Sequence, residues 1–326
     1  MSDMISRLTK AFEPGEPSVF RNMAVAPLLG KAKQSDGYIT LAEALAAKLV
    51  VVSELSQGGS VPELRVRNDS DRAVLALDGE ELEGAKQNRV LNTSILLKKK
   101  SEIVIPVSCT ERGRWSHAAA ECRDSGNILF RTARASKNIA VSDSLVYSER
   151  FDSNQGEIWN SIDSLHKEAG IHSPTGAMKD FFSARGASFE DYLKAFPCRE
   201  GQCGLLVFLD GRVAGFDYVS QVSDYLKLHG KLLKSYAVES LLARNTGGSP
   251  VSVEKAGEFL ENLKDTTATR FKSPGHGWDH RYSGKSMVGS VLAWRGRAVH
   301  AAFFATGNGR ADSGMSDLRR RMGYRG

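Results

Sequence analysis

The sequence contains few cysteines and no long hydrophobic run, and each shortage excludes a class of protein. The longest apolar stretch, LAEALAAKLVVV at residues 41–52, is interrupted by Glu43 and Lys48 and is too short to cross a bilayer. The first residues include no apolar region typical of a secretory signal. The four cysteines form no C-x-x-C pair and no zinc-finger spacing. We therefore expect a cytoplasmic protein with reduced thiols and no membrane segment.

Familiar catalytic and nucleotide-binding motifs are also missing. The sequence has no G-x-x-x-x-G-K-[ST] loop, no G-x-S-x-G elbow and no H-E-x-x-H helix. The glycine-containing segments GHGWDH and GNGRAD lack the third glycine of a dinucleotide fingerprint. Internal repeats and low-complexity tracts are absent as well. The common nucleotide-binding folds therefore do not explain this chain.

Composition and charge are those of an ordinary globular protein. The 326 residues are 41% hydrophobic and 25% charged, which is enough to build a large core. Half of the net charge of +6 lies in residues 310–326, where five arginines stand beside two aspartates. Such a tail is usually solvated and flexible. The remainder shows no aromatic and basic stripe typical of RNA-binding proteins, so nucleic acid is not the expected partner. The oligomeric state is not predicted.

The pattern of apolar residues predicts an α+β fold. An antiparallel β-rich N-terminal third (18–125) precedes a helical middle and C-terminal β-hairpins with packed helices (126–305). Turns at Asp210-Gly211 and Arg295-Gly296 mark the two hairpins, and NDSDR predicts a third between PELRVRN and RAVLALDG. We expect a helix within residues 1–17, one packed unit over 18–305 and a basic tail at 306–326.

The segment LDGEELEGAKQNR at residues 77–89 concentrates opposed polar chemistry beside an apolar strand. In one interpretation Asp78 caps a helical turn and Arg89 pairs with a surface carboxylate, which contributes little stability. In the other, the segment is a ligand site held at strand ends. Its carboxylates would bind Mg²⁺ or ribose hydroxyls, Gln87 and Asn88 would read an amide or base edge, and Arg89 would bind phosphate.

A second polar cluster, SCTERGRWSH, follows the strand SEIVIPVSC. If residues 88–97 and 101–109 form a hairpin, Cys109 returns to the same sheet end as Arg89, and the two clusters converge. Trp115 would then offer a ring face to a base or sugar. Cys109 is a candidate nucleophile with His117 as its base. The alternative is that Cys109 is a buried, inert thiol at the end of an apolar strand.

Three segments carry a resemblance to a known family: GSVPELRVRNDSDRAVLALDGEELEGAKQNRVLNTSIL, IPVSCTERGRW and CGLLVFLDGRVAGFDYVS. They resemble the ADP-ribosylglycohydrolase and rhodanese-phosphatase superfamily-associated protein domain, a poorly characterised prokaryotic family, over about residues 18–305. Gene neighbours that process ADP-ribose or phosphate groups, in cellular conflict or nucleotide metabolism, give the family its name. The resemblance implies an ADP-ribose or related nucleotide ligand. The family pattern falls on Asp78, Gly79, Glu80, Gly84, Gln87, Asn88, Arg89, Cys109, Glu111, Gly113, Arg114 and Trp115.

The residues and the resemblance together predict a hydrolase acting on an ADP-ribose-type or other nucleotide ligand. Glu80, Glu81 or Glu111 would activate water, directly or through Mg²⁺. The predicted ligand-binding residues are Asp78, Gln87, Asn88, Arg89, Arg114 and Trp115. The alternative is a non-catalytic module that senses a nucleotide or binds a partner protein through the same cleft. A third hypothesis, nucleic acid binding through the arginine-rich tail, predicts steep salt dependence.

Overall fold

The computed structural model describes residues 2–31, 37–56, 58–116, 119–243 and 251–306. The fold is α+β, as the sequence pattern predicts, with helices packed on largely antiparallel sheets. Most of the predicted basic tail, residues 307–326, lies outside the described residues.

Eight α-helices and one short 3-10 helix occur in the described ranges, and none of these helices is long and apolar enough to cross a membrane. The helices are α1 (Ser2–Lys10), α2 (Leu41–Ala46), α3 (Arg131–Ser148), α4 (Gln155–Ala169), α5 (Met178–Ala184), α6 (Gly186–Ala195), α7 (Val222–Leu242) and α8 (Val253–Glu261), the last followed by a 3-10 turn (Asn262–Asp265).

The strands are β1 (Phe12–Pro14), β2 (Ser18–Phe20), β3 (Met23–Gly30), β4 (Tyr38–Thr40), β5 (Val50–Ser53), β6 (Glu63–Asn68), β7 (Ala73–Ala76), β8 (Glu80–Gly84), β9 (Arg89–Leu91), β10 (Ile95–Leu97), β11 (Ser101–Cys109), β12 (Cys122–Ile128), β13 (Gln202–Leu209), β14 (Arg212–Val219), β15 (Thr267–Lys272), β16 (Trp278–Ser283), β17 (Met287–Trp294) and β18 (Arg297–Ala305). They form three sheets. A nine-stranded sheet has the order β1-β3-β13-β14-β18-β17-β16-β15, with β2 also paired to β3. A six-stranded sheet has the order β12-β8-β9-β11-β6-β5, and a three-stranded sheet the order β10-β7-β4.

Local turn and cap chemistry explains several elements directly. The β13–β14 and β17–β18 hairpins turn at the predicted Asp210-Gly211 and Arg295-Gly296 pairs. All four residues have positive φ, between 48° and 75°, which is the conformation that two-residue hairpin turns require. Helix α2 begins after Thr40, whose side chain accepts a hydrogen bond from the Glu43 amide at 3.3 Å.

Two predicted elements differ from the structure. Helix α1 ends at Lys10, and β1 follows within the predicted helical region because it pairs with β3 at the edge of the large sheet. The predicted hairpin of β6 and β7 is wrong. Strand β6 pairs with β5 and β11 in the six-stranded sheet, whereas β7 pairs with β10 and β4 in the three-stranded one. The connection between β6 and β7 therefore carries the chain from one sheet to another.

The buried apolar residues form three clusters that hold these layers together. The largest packs helices α3 to α7 against one face of the nine-stranded sheet, and a second joins α1 and α8 to the opposite face. The third lies between the six-stranded and three-stranded sheets and includes Leu82, Leu91 and Cys122. The acidic segment is thus placed where the three sheets and two buried helices, α3 and α7, meet.

Candidate functional site

The acidic segment is a buried strand, not a helical turn on the surface. Asp78 and Glu80 are each 1% exposed, and Glu81 is fully buried. Strand β8 pairs with β12 on one side and β9 on the other, which fixes the direction of every carboxylate. Burying several carboxylates is costly unless each has polar partners. The partners differ from one carboxylate to the next.

The structure brings the two polar clusters together. Strand β11 pairs with β9 so that Cys109 lies directly opposite Arg89. Gln87 Nε2 donates to the Glu111 backbone carbonyl at 3.0 Å, and the Asn88 amide donates to Glu111 Oε2 at 3.2 Å. The tight β8–β9 turn, in which Ala85 has a φ of 43°, holds Gln87 and Asn88 against the end of β11.

Glu111 is held as a charged anchor. Its Oε2 accepts a hydrogen bond from Arg114 Nη2 at 2.6 Å, and its Oε1 accepts one from Thr175 at 2.9 Å. Burial alone would raise the pKa of Glu111, but the hydrogen bonds from Arg114 and Thr175 outweigh it, and the pKa is lowered. A carboxylate ionised this firmly is a weak proton acceptor. Its geometry suits positioning Arg114, which also donates to Asn88 Oδ1 at 3.1 Å.

Arg89 is the centre of a group that we call the Arg89 cluster: Glu54, Lys86, Gln87, Arg89 and Trp115. The Arg89 side chain is fully buried, and Nη1 donates to Gln87 Oε1 at 3.1 Å. Nη2 lies 3.9 Å from Glu54 Oε1, and within the described ranges neither Nε nor Nη2 has a hydrogen-bond partner. The Arg89 Cζ and Lys86 Nζ lie 5.8 and 5.3 Å from the centre of the Trp115 ring, which is 48% exposed.

Glu81 lies on the other face of the same sheet. Paired residues of antiparallel strands point to the same face, and Leu82 pairs with Arg89 whereas Glu81 pairs with Val90. Glu81 Oε1 accepts a hydrogen bond from Thr110 at 2.8 Å, and the charge of Lys234 acts on the same carboxylate. Burial raises the pKa of Glu81 to about 7. The structure therefore does not place Glu81 and Arg89 in one cleft, although sequence analysis assigned both to a single site.

Asp78 and Glu80 belong to ionic contacts with the helices. Asp78 Oδ1 accepts a hydrogen bond from Lys137 of α3. Glu80 Oε1 accepts one from Lys231 of α7 at 2.9 Å, and Glu80 Oε2 caps the Leu77 amide at 2.8 Å. Lysines of α3 and α7 therefore pair with these two carboxylates. The predicted roles of Asp78 in ligand binding and of Glu80 in activating water stay predictions.

A buried network that sequence analysis missed surrounds Asp78. We call it the Asp217 network: Asp78, Arg134, Lys137, Asp217, Tyr236 and His300. Arg134 binds Asp217 through two hydrogen bonds of 3.0 and 2.6 Å, and both side chains are fully buried. Tyr236 donates to the same carboxylate at 2.8 Å, and His300 Nε2 lies 3.3 Å from it. An aspartate within the apolar run GFDYV was the one signal that could have indicated it.

Cys109 fits the inert interpretation. Its side chain is fully buried, and burial raises the pKa of the thiol, so that it remains protonated near neutral pH. The proposed base, His117, lies outside the described residues. The Sγ atom accepts from the Glu111 amide at 3.3 Å, which ties the end of β11 to the Glu111 loop.

Within the described residues no group of three or more His, Cys, Asp or Glu side chains could hold a metal ion. One cavity of about 720 Å³ lies beside the β13–β14 turn, and another of about 640 Å³ lies between α3, α4 and α7. Neither is lined by any of the ten residues predicted from the sequence.

The protein has an α+β fold, and most residues of its two polar clusters, at 77–89 and 108–117, are buried between the sheets. Residues 11–304 match the profile of the ARG and Rhodanese-Phosphatase-superfamily-associated Protein domain, ARPP-1, and the chain belongs to that family. The match covers all three described sheets. No curated protein and no solved structure shows a significant match to the chain.

Proposed function

We propose that this protein binds an ADP-ribose-type nucleotide, or another phosphate-bearing nucleotide, at the Arg89 cluster. The observation that supports this proposal is a fully buried guanidinium with two nitrogens that donate to no described protein group. The Arg89 charge has Glu54 at ion-pair distance, but buried donors without hydrogen bonds are costly, and native proteins keep them chiefly where a ligand or water completes them. A phosphate matches the two free donors of an arginine.

The surroundings of Arg89 suit a nucleotide better than an inorganic anion alone. Trp115 exposes nearly half of its surface, and a base or ribose can stack on a tryptophan face. Lys86 places a second cation over the same ring. Glu54 Oε2 is buried and has no described hydrogen-bond partner, and it can accept a hydrogen bond from a ribose hydroxyl. Since Arg89 is fully buried, the ligand reaches it by displacing the Trp115 or Lys86 side chain.

The choice of ADP-ribose rests on the family name, which associates these proteins with ARG and rhodanese-phosphatase proteins. Association with such proteins does not establish what this protein binds, so the support for the proposal must come from the residues of the site. Asn88 contributes no donor to this cluster, because its side-chain contacts are with Arg114 and the Gly84 amide. A donor set of one guanidinium and one ammonium favours a phosphate-bearing ligand over a neutral one.

Thermal unfolding with a ligand panel tests the proposal. NAD, ADP-ribose, ADP, AMP and phosphate are each added with and without Mg²⁺ to the wild type, Trp115→Ala and Arg112→Ala. A ligand at about a hundred times its dissociation constant adds roughly 2.7 kcal/mol to the free energy of unfolding. We expect ADP-ribose to raise the melting temperature of the wild type and of Arg112→Ala equally, and that of Trp115→Ala by about half as much or less.

Arg112→Ala is a matched control because Arg112 lies in the same loop but faces elsewhere. Its guanidinium is 61% exposed, pairs with Asp163 at 3.7 Å and lies over Trp159. A ligand shift of full size in Trp115→Ala would place the binding site outside the Arg89 cluster. The absence of any nucleotide shift would instead favour the alternative of a protein-interaction module.

Hydrolysis is a second candidate function, and one observation favours it. Of the carboxylates predicted to be catalytic, Glu80 pairs with Lys231 and Glu111 with Arg114, whereas Glu81 has a pKa of about 7. A group that titrates near neutral pH can take up and release a proton during a reaction. Because Glu81 faces away from Arg89, such a reaction requires a ligand on the Thr110 side of the sheet. Product formation from ADP-ribose that persists in Glu81→Gln would reject this role.

A further inference from the structure

One end of the nine-stranded sheet gathers tryptophans and cations from four separate segments. The residues are Lys98, Arg270, Lys272, His276, Trp278, Trp294, Arg295 and Arg297, and we call them the basic end. We propose that the basic end binds single-stranded nucleic acid. This surface shares no residue with the Arg89 cluster, and the proposal goes beyond nucleotide binding there.

Trp278 provides the first stacking surface. It begins β16 and is 41% exposed. Arg270 Cζ lies 4.3 Å and Lys272 Nζ lies 5.0 Å from the centre of its ring. Both cations come from β15, an edge strand in which Lys272 pairs directly with Trp278. The cations hold the ring in place and surround it with positive charge.

A second aromatic group lies at the end of the neighbouring strand. The His276 ring is stacked on Trp294, with centroids 4.9 Å apart and planes inclined by 30°. Arg295 Cζ lies 4.2 Å from the centre of the same indole. Burial lowers the pKa of His276, and the charges of Lys98, Arg295 and Lys272 lower it further. The electrostatic surroundings of His276 are therefore cationic, and the imidazole is neutral and free to stack at neutral pH.

Strand register explains why these residues meet. Strand β15 ends at Lys272 where β16 begins, Trp278 pairs with Ala293 of β17, and Trp294 pairs with Arg297 of β18. The His276 amide donates a hydrogen bond to the Leu96 carbonyl at 2.7 Å, which joins the loop before β16 to β10, just before the basic turn at residues 98–100. No continuous run of the sequence shows this pattern, which is why the sequence predicted little affinity for nucleic acid.

Trp278 is exposed, whereas the rings of His276 and Trp294 are partly buried. Because Trp278 pairs with Ala293, the next residue, Trp294, points to the other face of the sheet. Stacking on Trp278 within this cationic surface matches the chemistry of a single strand that passes over the end of the sheet. Bases with free faces stack on indole rings irrespective of sequence, while lysine and arginine bind the successive phosphates. A duplex hides its base faces and would engage the cations alone. The expected ligand of the basic end is therefore a single strand.

Fluorescence anisotropy of the full chain with labelled oligothymidylate, at a series of salt concentrations, tests the proposal. The same measurement with a duplex of equal length shows whether free base faces matter. We expect tighter binding of the single strand and a linear fall of log affinity with log salt. Trp278→Ala should weaken binding about ten-fold, and Trp278→Phe should retain most of it because stacking is preserved. Lys272→Gln should lower the steepness of the salt dependence by about 0.7.

Lys285→Gln is the matched control for charge. Lys285 is exposed in the turn between β16 and β17, at the opposite end of the same strands, so its removal should leave affinity and salt slope unchanged. A chain lacking residues 307–326 should bind as the intact chain does. Unchanged affinity in Trp278→Ala, or loss of binding only in Trp115→Ala or only on removing residues 307–326, would overturn the proposal. Absence of salt-dependent binding would overturn it as well.

Discussion

Replacement of Asp217 by asparagine perturbs the most deeply buried ion pair in the described part of the protein. Asp217 accepts two hydrogen bonds from Arg134, one from Tyr236 and a longer contact from His300. Arg134 and Asp217 are both fully buried. The substitution keeps the shape of the side chain but removes its charge. Arg134 is then left with Asp78, whose Oδ2 lies 3.8 Å from the Arg134 Nε.

The expected cost follows from leaving a buried guanidinium without its partner. Breaking a buried ion pair by removing one charge typically costs about 3–5 kcal/mol. Burial alone would raise the pKa of Asp217, but the Arg134 charge outweighs it and holds the pKa well below the usual range. A carboxyl with a lowered folded-state pKa contributes stability above its unfolded pKa of about 3.9, and this contribution is lost as pH falls. The variant and the wild type should therefore converge in acid.

Urea unfolding followed by circular dichroism at neutral pH, repeated near pH 2, well below the unfolded pKa, measures this cost and its loss in acid. Asp69→Asn is the control, because its partner Arg67 and Asp69 itself are about half exposed, and exposed pairs contribute roughly 0–1 kcal/mol. We expect Asp217→Asn to lose several times more stability than Asp69→Asn. Equal losses of stability in the two variants at neutral pH would refute the reasoning that burial keeps the charges of the Asp217 network from being screened by solvent.

Three further predictions concern protonation, backbone conformation and thiol reactivity. Because burial raises the pKa of Glu81 to about 7, the folded state favours the neutral carboxyl. As pH rises from about 4 to 7, the free energy of unfolding of the wild type should fall by roughly 3 kcal/mol more than that of Glu81→Gln. Urea titrations at each pH measure this difference. Gly84→Ala should lose about 1–3 kcal/mol by the same method, because φ is 127° and an added Cβ would lie 2.7 Å from the Glu121 carbonyl. Its control, Gly257→Ala in helix α8, meets no atom within 4 Å and should gain about 0.4–1 kcal/mol. A thiol reagent should modify Cys198 first in the native protein and all four cysteines after unfolding; rapid native labelling of Cys109 would contradict its burial.

Elements defined by local chemistry could be predicted from the sequence. The two hairpins follow from the residue pairs at their turns, and α2 follows from the capping box of Thr40 and Glu43. The meeting of Gln87 to Arg89 with the end of β11 was predictable in outline, since two strands of similar length suggest a hairpin. Residues 88–97 contain two strands in the structure. Of these, β9 pairs with β11, whereas β10 belongs to the three-stranded sheet.

Two features could not be predicted: the face of the sheet to which each side chain points, and the ion pairs between residues far apart in the sequence. Whether Glu81 shares a face with Arg89 depends on the β8–β9 register, and a shift of one residue would reverse the answer. The partners of Asp78 and Glu80 lie 59 and 151 residues away on helices α3 and α7. Carboxylates that look available in the sequence are therefore committed to ion pairs by tertiary packing. The basic end was missed for the same reason, because its cations come from separate strands.

The most direct test of the central proposal is calorimetric titration of ADP-ribose into the wild type and Trp115→Ala under identical conditions. We predict saturable binding to the wild type and at least roughly ten-fold weaker binding to the variant, since base stacking on an aromatic ring contributes about 1–3 kcal/mol. Arg112→Ala should bind as the wild type does. Equal affinity of the wild type and Trp115→Ala, or no heat of binding to either, would contradict a nucleotide site at the Arg89 cluster.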